Sequence, residues 1–174
     1  MKYPVLLAYY ITSLAIVLIP IPWWYYSVGG IFQIYDSPFQ INLYFLGEKI
    51  IIAEILNILL NAVRIYVAVN LVYGIILSMK GKNYRYSTMF WLPIFYVIDP
   101  IIIYLVVDFL VSKALGVPLN YPLVIIGKEN LTTKYQGATI IMLIKSYPTF
   151  VFWLSLIPVI LYIAFLIVEK MKKT

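Results

Sequence analysis

The chain contains no cysteine and no histidine. That excludes disulfides, Cys-held iron–sulfur clusters, haem ligated by His or Cys, and the common zinc and copper sites. Ser-His-Asp and Cys-His catalysis is excluded as well, because no imidazole can serve as the base. Charge is the next scarcity: 11% of the 174 residues are charged, against about 25% in an ordinary soluble domain. Seven acids spread over the whole chain do not supply the clustered Asp of a metal-dependent headgroup transferase. Gly81 stands alone, so there is no phosphate-cradling glycine loop. Nor are the paired signatures of an aspartyl intramembrane protease present: Ile98 precedes Asp99 and Val107 precedes Asp108.

Apolar residues make up 64% of the chain, and the mean hydropathy is +0.96. A domain of this size leaves about a third of its surface exposed, so this much apolar surface must face something other than water. The composition predicts an all-α integral membrane protein, forming one membrane domain over residues 1–174. The combination of 29 Ile and 17 Tyr with no Cys or His resembles that of hyperthermophilic archaeal proteins, in which thermolabile residues are scarce.

A membrane-crossing helix needs about 20 largely apolar residues. Four runs meet that length, about 3–24, 50–79, 88–111 and 148–168, and predict a four-transmembrane-helix bundle, a multi-pass layout in the cell membrane. The first run ends in Pro20-Ile21-Pro22-Trp23-Trp24 without a small-residue exit site, so it is predicted to be an uncleaved span and not a signal peptide. The second is too long for the hydrocarbon core and must tilt or protrude by about two turns. Lys2, Lys80, Lys82, Arg85, Lys170, Lys172 and Lys173 are dense on one side. Lys49, Lys113, Lys128, Lys134 and Lys145 are sparse on the other. The asymmetry predicts that both termini are cytoplasmic. Scattered in this way, the net charge of +6 anchors helices at headgroups and predicts no nucleic-acid partner.

Two long extracytoplasmic segments follow, about 25–49 and 112–147, and both are expected to be partly structured. The first carries Gly29-Gly30 and an Asp36-Ser37-Pro38 turn signal. The second carries the sequon Asn130-Leu131-Thr132, a possible glycosylation site.

Polar groups inside the runs carry the functional reading. Glu54, Asn57, Asn61 and Arg64 are spaced i, i+3, i+7, i+10 and share an arc of about 80° on one helix; Asn70 lies off it. Asp99 and Asp108 lie in the next run, and Pro100 kinks it beside Asp99. Arg64 and Asp99 fall at similar depth on helices joined by a short connection, which predicts that they pair. Glu54 and Asp108 lie near the outer end, within reach of Lys49 or Lys113. This intramembrane face is either structural glue or a ligand or ion pathway. Tyr66, Tyr73, Tyr96, Tyr104 and Trp153 lie within the runs, offering a flat surface for a bound lipid or quinone. No cofactor ligated by the chain itself is expected.

The leading functional expectation is a non-catalytic subunit of a larger membrane complex of respiratory, quinol- or terminal-oxidase type. Its partners would be the lipid bilayer and other membrane subunits or further copies of itself. The alternatives are a small transport or hydrophobic-ligand-binding protein using the polar face, and a cofactor-free membrane enzyme with carboxylate acid/base chemistry. No motif supports the enzyme.

Overall fold

The computed structural model describes residues 3–111, 113, 121–135 and 137–172. Helix α1 (Pro4–Leu18) opens on a proline, whose missing N–H costs nothing in a first turn. Pro20 and Pro22 prevent its continuation. The chain then enters three strands of clear length, β1 (Trp24–Val28), β2 (Phe32–Ser37) and β3 (Gln40–Phe45), and a two-residue β4 (Glu48–Lys49). Gly29 and Gly30 both adopt positive φ, +59° and +73°, which makes the tight β1–β2 turn possible.

Helix α2 (Ile52–Met79) leaves the sheet and α3 (Thr88–Tyr96) returns toward it. Next come α4 (Asp99–Leu105) and a π-helical continuation over Val106–Val111. A hairpin of β5 (Gly127–Tyr135) and β6 (Ala138–Pro148) leads into α5 (Phe150–Met171). The six strands form one sheet, ordered β4-β3-β2-β1-β6-β5, with every neighbouring pair antiparallel. Two segments about a hundred residues apart therefore meet at β1–β6, where Trp24 stands opposite Pro148 and Val28 opposite Ile144.

The core runs from the helices onto one face of the sheet. Helix α1 packs between α2 and α5, burying Leu6, Tyr9, Tyr10, Ile16 and Val17. Trp23, Trp24, Tyr26, Ile34 and Phe39 continue this cluster from the sheet side, and Phe152 lies edge-on to Trp24 at 5.1 Å. Smaller packing around Tyr121, Leu131 and Ile144 joins the hairpin to Tyr104 and Val107.

These elements correct the sequence-based fold. The protein is not an all-α four-transmembrane-helix bundle; it is mixed α/β, and the multi-pass, four-span layout fails with it. Two helices, α2 and α5, are each long and apolar enough to cross a membrane. The α3/α4 pair passes the same test only if its two halves, bent by 48°, count as one span. Helix α1, at 15 residues, reaches about 22 Å and falls short of a core about 30 Å thick. The physical reason is that the run 3–24 joined a short helix to two helix-stopping prolines and the start of a strand. The run 88–111 is broken where Pro100 was expected to kink a continuous span: α3 ends at Tyr96 and α4 starts at Asp99. Residues 25–49, expected to be a partly structured outer segment, form strands β1 to β4.

Candidate functional site

The alternation of strands sets up the first polar site. On β2, Ile34 and Asp36 point the same way as Trp24 and Tyr26 of β1, because Trp24 faces Asp36 and Tyr26 faces Ile34 in the register. Asp36 is therefore an acid on the core side of a strand, 7% exposed. The helix break carries Asp99 to the same place. The Tyr26 hydroxyl donates to Asp99 Oδ2 at 2.6 Å, and the Asp99 carboxyl and Tyr96 hydroxyl lie near enough to Asp36 to bear on its charge. Oδ1 of Asp36 has no partner. Burial pushes the Asp36 carboxyl well above the usual carboxylate range, and the Asp99 charge adds to the shift. Burial and the same neighbour also push the Tyr26 phenol upward. Two carboxyls so placed share a proton more readily than they both ionise. Among the described residues no cluster of three or more acids forms that could hold a metal ion. What this arrangement can do chemically is hold or pass a proton and tie the sheet to the bent helix.

The polar face expected on α2 is distributed differently. Glu54 sits in the first turn and meets Lys49 at 3.6 Å, both well exposed. Asn57 binds a strand: its Oδ1 accepts from the Ile41 N–H at 2.8 Å and its Nδ2 donates to the Ile41 carbonyl at 2.7 Å. The side-chain amide thereby supplies a rung that β4, two residues long, does not reach. Asn61 is exposed. Arg64 does not pair with Asp99: its Nη2 donates to Gln40 Oε1 at 3.1 Å, its guanidinium lies 6.0 Å from the Phe39 ring centroid, and its buried Nε has no partner. Asn70 caps the Tyr66 carbonyl and accepts from the Tyr84 hydroxyl. Asp108, in the π-helical segment, accepts from the Tyr121 N–H at 3.2 Å. Asn130 lies exposed on β5 opposite Leu143. Lys134 lies on β5 opposite Thr139.

So the structure joins Asn57 and Arg64 to β3 and takes Asp99 to β1 and β2. Asp36, Tyr26 and Gln40 were missed as site residues. Asp36 was read as part of a turn signal, but the turn is headed by Ser37, whose Oγ accepts from the Phe39 and Gln40 N–H groups. The available signal was its period-two alignment with Ile34.

A second feature is apolar. The side chains of Ile51, which caps α2, and of Ile52, Ile55, Ile58 and Leu59 on it are all more than half exposed, spaced i, i+1, i+4, i+7, i+8 on one helix face. They flank the turns of α2 that Asn57 binds to β3.

No family model, no curated protein and no solved structure matches the chain.

Proposed function

We propose that this protein is a non-catalytic subunit of a larger membrane assembly, held in the bilayer by α2 and α5 and joined to a neighbouring subunit through the first turns of α2. The observation that carries the reading is the uncovered stripe from Ile51 to Leu59. Helix α2 has 28 residues and spans about 42 Å, against a hydrocarbon core of about 30 Å. Its C-terminal end runs into Lys80, Lys82 and Arg85, which belong at a headgroup layer. The excess of about 12 Å, or about eight residues, then lies at the other end, where the Lys49–Glu54 ion pair also belongs outside the hydrocarbon. Apolar surface there is covered by neither lipid tails nor this chain, and a partner subunit satisfies it. Arg85 pairs with Glu169 near the end of α5, so that end, with Lys170 and Lys172, shares the side of Lys80, and the reading puts it in the cytoplasm.

The test is site-specific photo-crosslinking in native membranes. A photoreactive residue at Ile55 or Ile58 should give a discrete protein adduct, and one at Ile160 of α5, 65% exposed, should give lipid adducts. A stable monomer in mild detergent, with no protein adduct from Ile55 or Ile58, would remove the proposal.

One observation favours a second reading, membrane transport: a broken helix with an acid at the break is a common way to hold a coupling ion. Under that reading, Asp99→Asn in proteoliposomes abolishes proton-coupled flux while the protein still folds. If the variant fails to assemble, the acid pair is structural.

A further inference from the structure

We propose that the face of the sheet turned away from the helices binds a neutral saccharide, with sugar rings lying on Tyr25, Tyr35 and Tyr44 and hydroxyls bonded by Gln33 and Asn42. The register places these side chains together. Tyr25 stands opposite Tyr35, Asn42 opposite Tyr35, and Tyr44 opposite Gln33, all on the face that Trp24, Tyr26, Ile34 and Asp36 do not use. The rings touch in sequence: Tyr25 and Tyr35 have centroids 4.7 Å apart, and Tyr35 and Tyr44 are 6.0 Å apart at 90°. None of the three is fully buried, so ring faces remain open.

The surface is concave. One hollow of about 530 Å³ is lined by Tyr25, Ser27, Gln33 and Lys145 among others. Another of about 450 Å³ is lined by Pro22, Gln33, Tyr35, Asn42 and Tyr44. They meet at Gln33, and each is the size of an ordinary small-ligand site.

Three properties select the ligand. The amides have hydrogen-bonding capacity to give. Asn42 makes no side-chain hydrogen bond among the described residues, and both Gln33 contacts, to Gly30 and Tyr35, are long at 3.4 Å. An amide offers two donors and an acceptor, which matches adjacent hydroxyls. A lipid tail would instead leave these amides unpaired. On β1, β2 and β3 this face carries no ionised side chain; Lys49 stands opposite Tyr44 on β4, and Lys145 stands opposite Ser27 on β6 with Lys128 beyond it on β5. The three lysines flank the tyrosines and amides, where their ammonium groups can donate to sugar hydroxyls. Tyrosine faces carry partial negative charge and attract the polarised C–H groups of a sugar ring. The face is independent of the α2 stripe and of the acid pair.

Saturation-transfer NMR on the full chain in nanodiscs, free of sugar-headed detergent, tests it. The probes are maltotriose, cellotriose and mannotriose, with sialyllactose as a charged sugar and polyuridylate as a nucleic acid. At least one neutral trisaccharide should bind at millimolar concentration. Asn42→Ala and Tyr44→Ala should each weaken that binding about tenfold with the unfolding midpoint unchanged. Absence of binding by all three neutral sugars overturns the proposal. So does binding that neither substitution alters, or preferential binding of polyuridylate.

Discussion

At the end where α1 begins and α5 finishes, tyrosine hydroxyls close the helices against neutral backbone groups. Tyr9 donates to the Tyr86 carbonyl at 3.0 Å, Tyr10 donates to the Tyr84 carbonyl, and the Tyr10 oxygen accepts from the Tyr86 N–H at 3.2 Å. These bonds pin the α2–α3 connection onto α1. At the sheet end, Tyr26 donates to a carboxylate, and a second acid, Asp36, lies against the first. Residue type is shared, but the partners differ. A hydroxyl on a carbonyl holds its geometry at any moderate pH, whereas a joint between two acids depends on how many protons it holds. The helical end is therefore a fixed closure and the sheet end a titratable one.

The contrast is broken most severely at Gly74. A Cβ there would lie 2.8 Å from the Tyr10 ring, and the ring is fully buried with its hydroxyl already committed. Gly74→Leu should destabilise the protein by about 3 kcal/mol and separate α1 from α2, measured as a lowered unfolding midpoint in micelles. At the other end, Asn57→Leu strands the N–H and carbonyl of Ile41. It should cost about 2 kcal/mol and speed amide exchange in β3 before α1 is affected. If exchange instead rises evenly across the molecule, the two ends are not separate units.

The titratable character of the sheet end has a definite sign. The Asp36 carboxyl is raised in the folded state from its ordinary 3.8, so folding takes up a proton. Its contribution is fully present below pH 3.8 and is lost as pH climbs through the raised value. The unfolding midpoint should fall from acid toward alkaline pH, and Asp36→Asn should flatten that slope. A midpoint that rises with pH would contradict the acid pair. The smallest effect belongs to the Arg85–Glu169 pair at the helical end, 2.7 Å apart with the Arg85 side chain half exposed. Glu169→Gln should lower the unfolding midpoint only slightly, by a shift that salt reduces.

How much of this was legible in the letters can be argued element by element. The excess length of the second run was readable, and the structure lays those extra turns against β3. Pro100 marked the helix break, and Gly29-Gly30 marked a turn. The sheet was hidden because its strands are aromatic on both faces: in Trp24-Tyr25-Tyr26 the inward and outward positions both score as apolar, which erases the period-two signal. The acid cluster was hidden for a different reason. Its members are residues 26, 36, 96 and 99, on four separate elements, and similar depth on adjacent helices suggested Arg64 as the partner of Asp99. Gln40 and Phe39 took that guanidinium instead.

By itself, the amino-acid order determined the excess of apolar surface, the lengths of α2 and α5, the proline breaks and the absence of imidazole and thiol chemistry. All of these depend on composition or on neighbours within a few residues. Pairing across the hundred residues between β1 and β6, the descent of Asp99 onto Tyr26 and Asp36, and the division of the sheet into a buried face and a tyrosine-lined open one were decided only by tertiary structure. Such contacts depend on which distant surfaces are close enough to exclude solvent together, and local pattern carries no record of that distance.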